Sequence, residues 1–184
     1  MCLKTRLARR GVTHVAGLFF ATTGTDVRLC FALPTAAVRT GKGNHTIPGG
    51  RIHQLGARRF EHTHDAMLRE LKEETGVGPE TILSLCGVGA PVTHYPAQGG
   101  VKLVQGFVGL VSTPCDQPRL VGEIAAVAWP TRDAWLPTIR TMNEHKQALV
   151  LQLMERAMRV RQIYPCVRRE VSRFLDECGS QAFA

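Results

Sequence analysis

A length of 184 residues suits one domain, able to bury roughly 70% of its unfolded surface, and residues 1–184 are expected to form a single unit. The 44% hydrophobic and 21% charged fractions are those of an ordinary globular chain, and no apolar run reaches the 18 or so residues of a membrane-crossing helix, so no membrane partner is expected. A formal net charge of +8 favours a polyanionic partner through long-range attraction and is compatible with a nucleotide, an inositol phosphate or RNA.

The six cysteines, at positions 2, 30, 86, 115, 166 and 178, include no Cys-x-x-Cys pair and no zinc-like spacing with histidine. They read as reduced thiols of an intracellular protein, cytoplasmic by expectation. The first ten residues, MCLKTRLARR, carry four basic side chains and no acid, as a short mitochondrial targeting segment would.

Residues 11–22 are apolar and rich in β-branched and aromatic side chains, and predict a strand. The turn at 24–26 leads to a second strand over 27–33, so the pair reads as a hairpin. A loop over 34–44 precedes Thr46-Ile47-Pro48-Gly49-Gly50, whose two glycines permit close backbone approach to a metal or phosphate, or simply form a turn. Residues 51–64, RIHQLGARRFEHTH, read as a loop. Arg51, Arg58 and Arg59 would either clamp phosphates or be solvated, and His53, His62 and His64 read as solvent-facing.

A helix is expected over 61–77, stopped by Gly76. At about 100° per residue, Glu70, Glu73 and Glu74 fall on one side of it and Leu68, Leu71 and Thr75 roughly on the other, with Met67 at the border. Three neighbouring carboxylates repel one another and need a counter-charge. A hard divalent cation supplies one, since Mg²⁺ takes carboxylate oxygens and completes its shell with water and phosphate. Arg69, one turn before Glu73, is placed to hold that carboxylate. On charge pattern alone, a solvated face of ion pairs is the equal alternative.

Strands are expected over 81–92 and 101–112, with Tyr95 in the loop between them, either stacking on a base or anchoring its loop. After a loop over 113–120 comes a further strand over 123–129, in which Glu123 is the acid at entry and Trp129 a core residue. Amphipathic helices over 142–163 and 167–178 close the chain. Their arginines 156, 159, 161, 168, 169 and 173 would form an RNA-facing stripe, an oligomer edge or, by default, a solvated face.

Arg69-Glu70-Leu71-x-Glu73-Glu74-x-Gly76-Val77, with Glu61 eight positions earlier and Gly49-Gly50 upstream, resembles the Nudix box, G-x5-E-x7-R-E-U-x-E-E-x-G-U. The pattern expects glycine six residues before Glu61, where this chain has Leu55; Gly50 lies eleven before it, so the intervening loop is about five residues longer. The resemblance implies an α/β fold, an α/β/α sandwich with a mixed sheet and here extra C-terminal helices over 142–178. It implies Mg²⁺ or Mn²⁺ held by Glu70, Glu73, Glu74 and the Gly49 carbonyl, with Arg69 orienting the acids and Glu70 or Glu123 as general base. Arg51, Arg58, Arg59 and Tyr95 would bind substrate. The implied reaction is hydrolysis of a diphosphate linkage in a nucleoside diphosphate joined to another group, such as a dinucleoside polyphosphate, a nucleotide sugar or a nucleoside triphosphate. Removal of an mRNA cap, and non-catalytic binding of RNA or nucleotide, are the alternatives.

Overall fold

The computed structural model describes residues 11–35, 44–57, 59–94, 101–115 and 124–181. Its central sheet has the order β2 (Asp26–Leu29), β1 (His14–Thr23), β9 (Lys102–Val111), β7 (Ile82–Gly87), with β4 (Gly49–Arg51) added to β1 and β8 (Val92–His94) to β9. β1 and β9 run parallel and their other neighbours antiparallel, so the sheet is mixed. Two small sheets pair β3 (Phe31–Pro34) with β10 (Ile124–Ala128), and β5 (Gln54–Gly56) with β6 (Arg59–Phe60).

Helix α1 (Thr63–Thr75) covers one face of the central sheet. Helices α2 (Trp135–Arg140), α3 (Glu144–Ala157) and α4 (Pro165–Gln181) gather on the other. β1 is apolar on both sides because both are covered: Val15, Phe19 and Ala21 join Met67 and Leu71 in one core, while Ala16, Leu18 and Phe20 join Trp135, Leu153 and Phe174 in the other. Close approach of the helices relies on glycine in two strands. A Cβ on Gly17 would stand 3.0 Å from the Met67 sulfur, and one on Gly106 would stand 2.3 Å from Leu153 Cδ2.

Several sequence expectations need correction. The stretch 51–64 is not all loop: it contains the β5–β6 hairpin, joined at its base by the Glu61 N–H donating to the His53 carbonyl at 2.9 Å. The strand over 27–33 is two strands, broken at Cys30, whose N–H donates to the Phe19 carbonyl while β3 departs to meet β10. Likewise 81–92 divides into β7 and the start of β8. The buried stripe of α1 is Ala66, Met67, Leu71 and Thr75, with Leu68 only half-buried. The last helix begins at Pro165, where the missing N–H is no loss. No helix among the described residues is long and apolar enough to cross a membrane.

Candidate active site

Helix α1 carries the acids to the edge of the sheet where β4 lies against β1. The helix ends on Gly76 in the left-handed region, φ 75°, with its N–H on the Lys72 carbonyl at 3.0 Å, a conformation glycine adopts without penalty. Buried Thr75 is satisfied inside the helix, its hydroxyl donating to the Leu71 carbonyl at 2.6 Å.

Arg69 is the hub. All five of its N–H donors are used. Nε and Nη2 grip the Glu61 carboxylate at 3.0 Å each, Nη1 donates to Glu70 at 2.8 Å and to Glu73 at 2.9 Å, and Nη2 also reaches the Arg51 carbonyl at 2.9 Å. Sequence reasoning found the link to Glu73 but gave Glu61 no partner. The spacing of eight brings Glu61 back onto Arg69 only because the chain reverses between the hairpin and the helix. Glu61 also accepts the His53 N–H at 3.2 Å, so one carboxylate ties the hairpin base to the helix.

Glu74 accepts the Gly49 N–H at 2.8 Å, and Gly50 faces Glu70 so closely that a Cβ there would lie 2.3 Å from its Oε1. The resemblance gave Gly49 a carbonyl role; the contact present is made by its amide. Glu70, Glu73 and Glu74, with Gly49, Gly50, Arg51, His53 and Arg69, line a cavity of about 360 Å³. Burial raises the Glu70 pKa, with Arg69 opposing. For Glu61 burial also pushes upward, but the hydrogen bonds from Arg69 and the His53 amide outweigh it and leave the pKa below its ordinary value. The same carboxylates hold Arg69 firmly protonated, its pKa raised above normal chiefly by Glu61.

Among the described residues, no three His, Cys, Asp or Glu side chains converge on one point ready to hold an ion. Glu70 and Glu73 turn to Arg69, and Glu74 to the β4 backbone. The donor set is nonetheless suited to a hard cation. It comprises three carboxylates on one helix face, beside two glycines whose lack of side chains leaves the acids room. Glu73, 46% exposed, is the most solvent-facing partner of Arg69 in the cluster.

Arg51 and His53 also border a larger cavity, about 630 Å³, walled by Val12, Ile52, Phe60 and Val101. Arg59 stands exposed on β6 and lines neither cavity. Arg58, Tyr95 and Glu123 lie outside the described residues. Phe60, 49% exposed at the mouth of the larger cavity, was missed from the sequence; a lone aromatic in a polar stretch gives no periodic signal.

A profile of the NUDIX domain matches residues 18–152. The chain belongs to the Nudix family. No curated protein matches it, but solved Nudix structures share the fold. The NUDIX domain of Shewanella oneidensis NrtR, complexed with ADP ribose, is similar at 19% identity and a TM-score of 0.57, over 79% of this chain and 85% of that one. RenU, a Nudix hydrolase from M. smegmatis, is similar at 15% identity and a TM-score of 0.60, over 84% and 90%. The C. elegans Ap4A hydrolase is similar at 18% identity and a TM-score of 0.53, over 79% and 95%. In this Nudix chain the box residues Glu61, Arg69, Glu70, Glu73 and Glu74 are therefore one bonded cluster around the end of β4.

Proposed function

We propose that this chain is a divalent-metal-dependent pyrophosphohydrolase that cleaves a diphosphate linkage in a nucleotide-type substrate. The observation that carries the reading is the wall of Glu70, Glu73 and Glu74 facing the Gly49–Gly50 backbone across one cavity, with Arg69 fixing two of the three acids. Glu70, Glu73 and Glu74 would hold Mg²⁺ or Mn²⁺, which in such a site neutralises diphosphate charge and makes bound water more acidic.

The chain's own residues account for the rest. Water adds to one phosphorus, the bond from that phosphorus to the bridging oxygen breaks, and the water proton passes to a carboxylate. Glu70, which lines the carboxylate cavity beside Gly50, is the acceptor we assign. Arg69 keeps Glu70 and Glu73 in place, and Arg51 and His53, on the wall between the two cavities, steady the phosphates. The larger cavity has room for the organic part of the substrate, with Phe60 as its stacking surface. The ligands named for similar structures, ADP ribose and Ap4A, are nucleotides of this kind.

The test is product analysis with diadenosine tetraphosphate, ADP-ribose, nucleotide sugars, nucleoside triphosphates and capped RNA, with Mg²⁺, Mn²⁺ or EDTA. Cleavage that requires metal and yields a nucleoside monophosphate is expected. Binding without cleavage of any of them would overturn the reading in favour of a non-catalytic module.

A further inference from the structure

Bordering β4 at Gly49 and Gly50 lies a third cavity, about 120 Å³, lined by His14, Thr46, His94, Lys102 and Lys146 above apolar walls. The sheet register assembles it. His94 is the direct cross-strand partner of Lys102, and His14 is the partner of Val104, two residues along the same strand. Residues two apart on a strand share a face, so His14, His94 and Lys102 project together. Lys146, in the first turn of α3, closes the cavity from the helix side.

Among the described residues no Asp or Glu lines this cavity and neither lysine makes an ion pair. The basic groups act on one another. Burial holds His14 down to a pKa of about 4, with Lys102, Arg51 and His94 adding to the effect. Burial likewise lowers His94, with Lys102, His145 and Lys146 contributing. Lys146 is lowered by burial and by Lys102, while Glu74 pulls it the other way. With the histidines held neutral, the positive charge rests on Lys102 and Lys146, each of which an anion would stabilise, while the imidazoles remain as hydrogen-bond donors.

Gly49 and Gly50 line both this cavity and the carboxylate cavity. The two cavities therefore adjoin at β4, and Lys146 feels the charge of Glu74. We propose that the cavity formed by His14, His94, Lys102 and Lys146 binds phosphoryl groups of the substrate lying beyond the linkage that is cleaved, so that the preferred substrate carries three or more phosphates in a row. This rests on the proposed pyrophosphohydrolase activity and narrows its substrate class: a nucleotide sugar or ADP-ribose, with two phosphates, leaves the cavity unused.

The experiment uses inorganic tripolyphosphate as the probe, titrated calorimetrically into the full chain in EDTA, beside orthophosphate and pyrophosphate. Tripolyphosphate is expected to bind best without metal, and the Lys102→Ala/Lys146→Ala variant to bind it at least tenfold more weakly. The charge-keeping Lys102→Arg/Lys146→Arg variant should retain most of the affinity. Lys146→Ala alone, with an intact thermal transition, serves if the double variant fails to fold. Tripolyphosphate binding that is absent, or equal in wild type and alanine variants, overturns the proposal; so does neutralisation of Glu74 as the lysine's sole role, read as a lowered melting point with unchanged anion binding. Lysine-dependent binding without hydrolysis of any nucleotide would leave the anion site standing and remove the catalytic reading instead.

Discussion

Replacing Arg69 with methionine keeps the volume of the stem and removes all five donated hydrogen bonds. Glu61 and Glu70, 13% and 12% exposed, then face each other's half of the site with no counter-charge. Breaking a buried ion pair from one side costs about 3–5 kcal/mol. Arg69 is itself 20% exposed and the Glu73 contact is largely in solvent, so screening takes the estimate to the lower end, roughly 3 kcal/mol. At about 2–4 °C per kcal/mol for a chain of this size, the melting temperature should fall by roughly 6–12 °C. The sign with pH is fixed by Glu61. Its folded pKa lies below the unfolded one, so its contribution is present above the unfolded pKa, near 4.3, and disappears as pH falls through the folded value. The gap between wild type and Arg69→Met, measured by thermal circular dichroism in EDTA, should therefore narrow from pH 7 to pH 3.5. Adding Glu61→Gln to Arg69→Met should restore part of the loss at neutral pH. A variant that melts within about 2 °C of wild type at pH 7 would refute the role of Arg69 as the clamp of this cluster.

Glu73→Gln and Glu74→Gln should each lower metal-dependent turnover by at least about 100-fold with an unchanged circular dichroism spectrum; full turnover in either would remove that residue from the site. The two glycines of β4 should separate. Gly50→Ala places a Cβ against the Glu70 carboxylate and pushes it off Arg69, so turnover should fall with a modest loss of stability, whereas Gly49→Ala meets fixed backbone, the Val15 carbonyl at 2.4 Å and the Ala16 Cα at 2.8 Å, and should lose more; the reverse order would contradict the packing described. His14 should titrate near pH 4 by NMR. Because that value is below the unfolded one, its effect on stability is nil above pH 6.5 or so and increasingly unfavourable as pH falls towards 4, and His14→Gln should flatten that acid-side slope.

The helix of the site was legible because two periodicities coincide in it: Leu71 and Thr75 recur at helical spacing on a buried face, and Glu70, Glu73 and Glu74 share a neighbouring face with Met67 at the border. β1 and β9 were legible as largely apolar runs, broken in β9 only by the buried Gln105 after its opening lysine, and covered on both faces. The β5–β6 hairpin was not, since its residues are all exposed or peripheral and nothing in them alternates. The break at Cys30 was hidden for the opposite reason: both halves of 27–33 are buried, and only the pairing of β3 with β10 separates them. The basic cavity depends on register between strands far apart in sequence and on one turn of a distant helix, which a single chain does not display. The basic C-terminal arginines read as a surface stripe, yet Arg156 donates to the Ala90 carbonyl. Arg168 donates to the Met158 and Val160 carbonyls at 2.6 and 2.7 Å, and Arg169 and Arg173 pair with Glu170. Part of that charge serves the packing of α3 and α4.

Turnover can be lost for many reasons, so the central claim is met most directly by metal binding itself. Mn²⁺ titrated into the full chain and followed by electron paramagnetic resonance should give a bound ion, displaced by excess Mg²⁺, in wild type. Glu73→Gln and Glu74→Gln, folded by circular dichroism, should leave the ion free at the same concentration. Mn²⁺ held equally by the wild type and both variants, or by none of them even with a non-hydrolysable diphosphate present, would contradict the assignment of this carboxylate wall as a divalent-cation site.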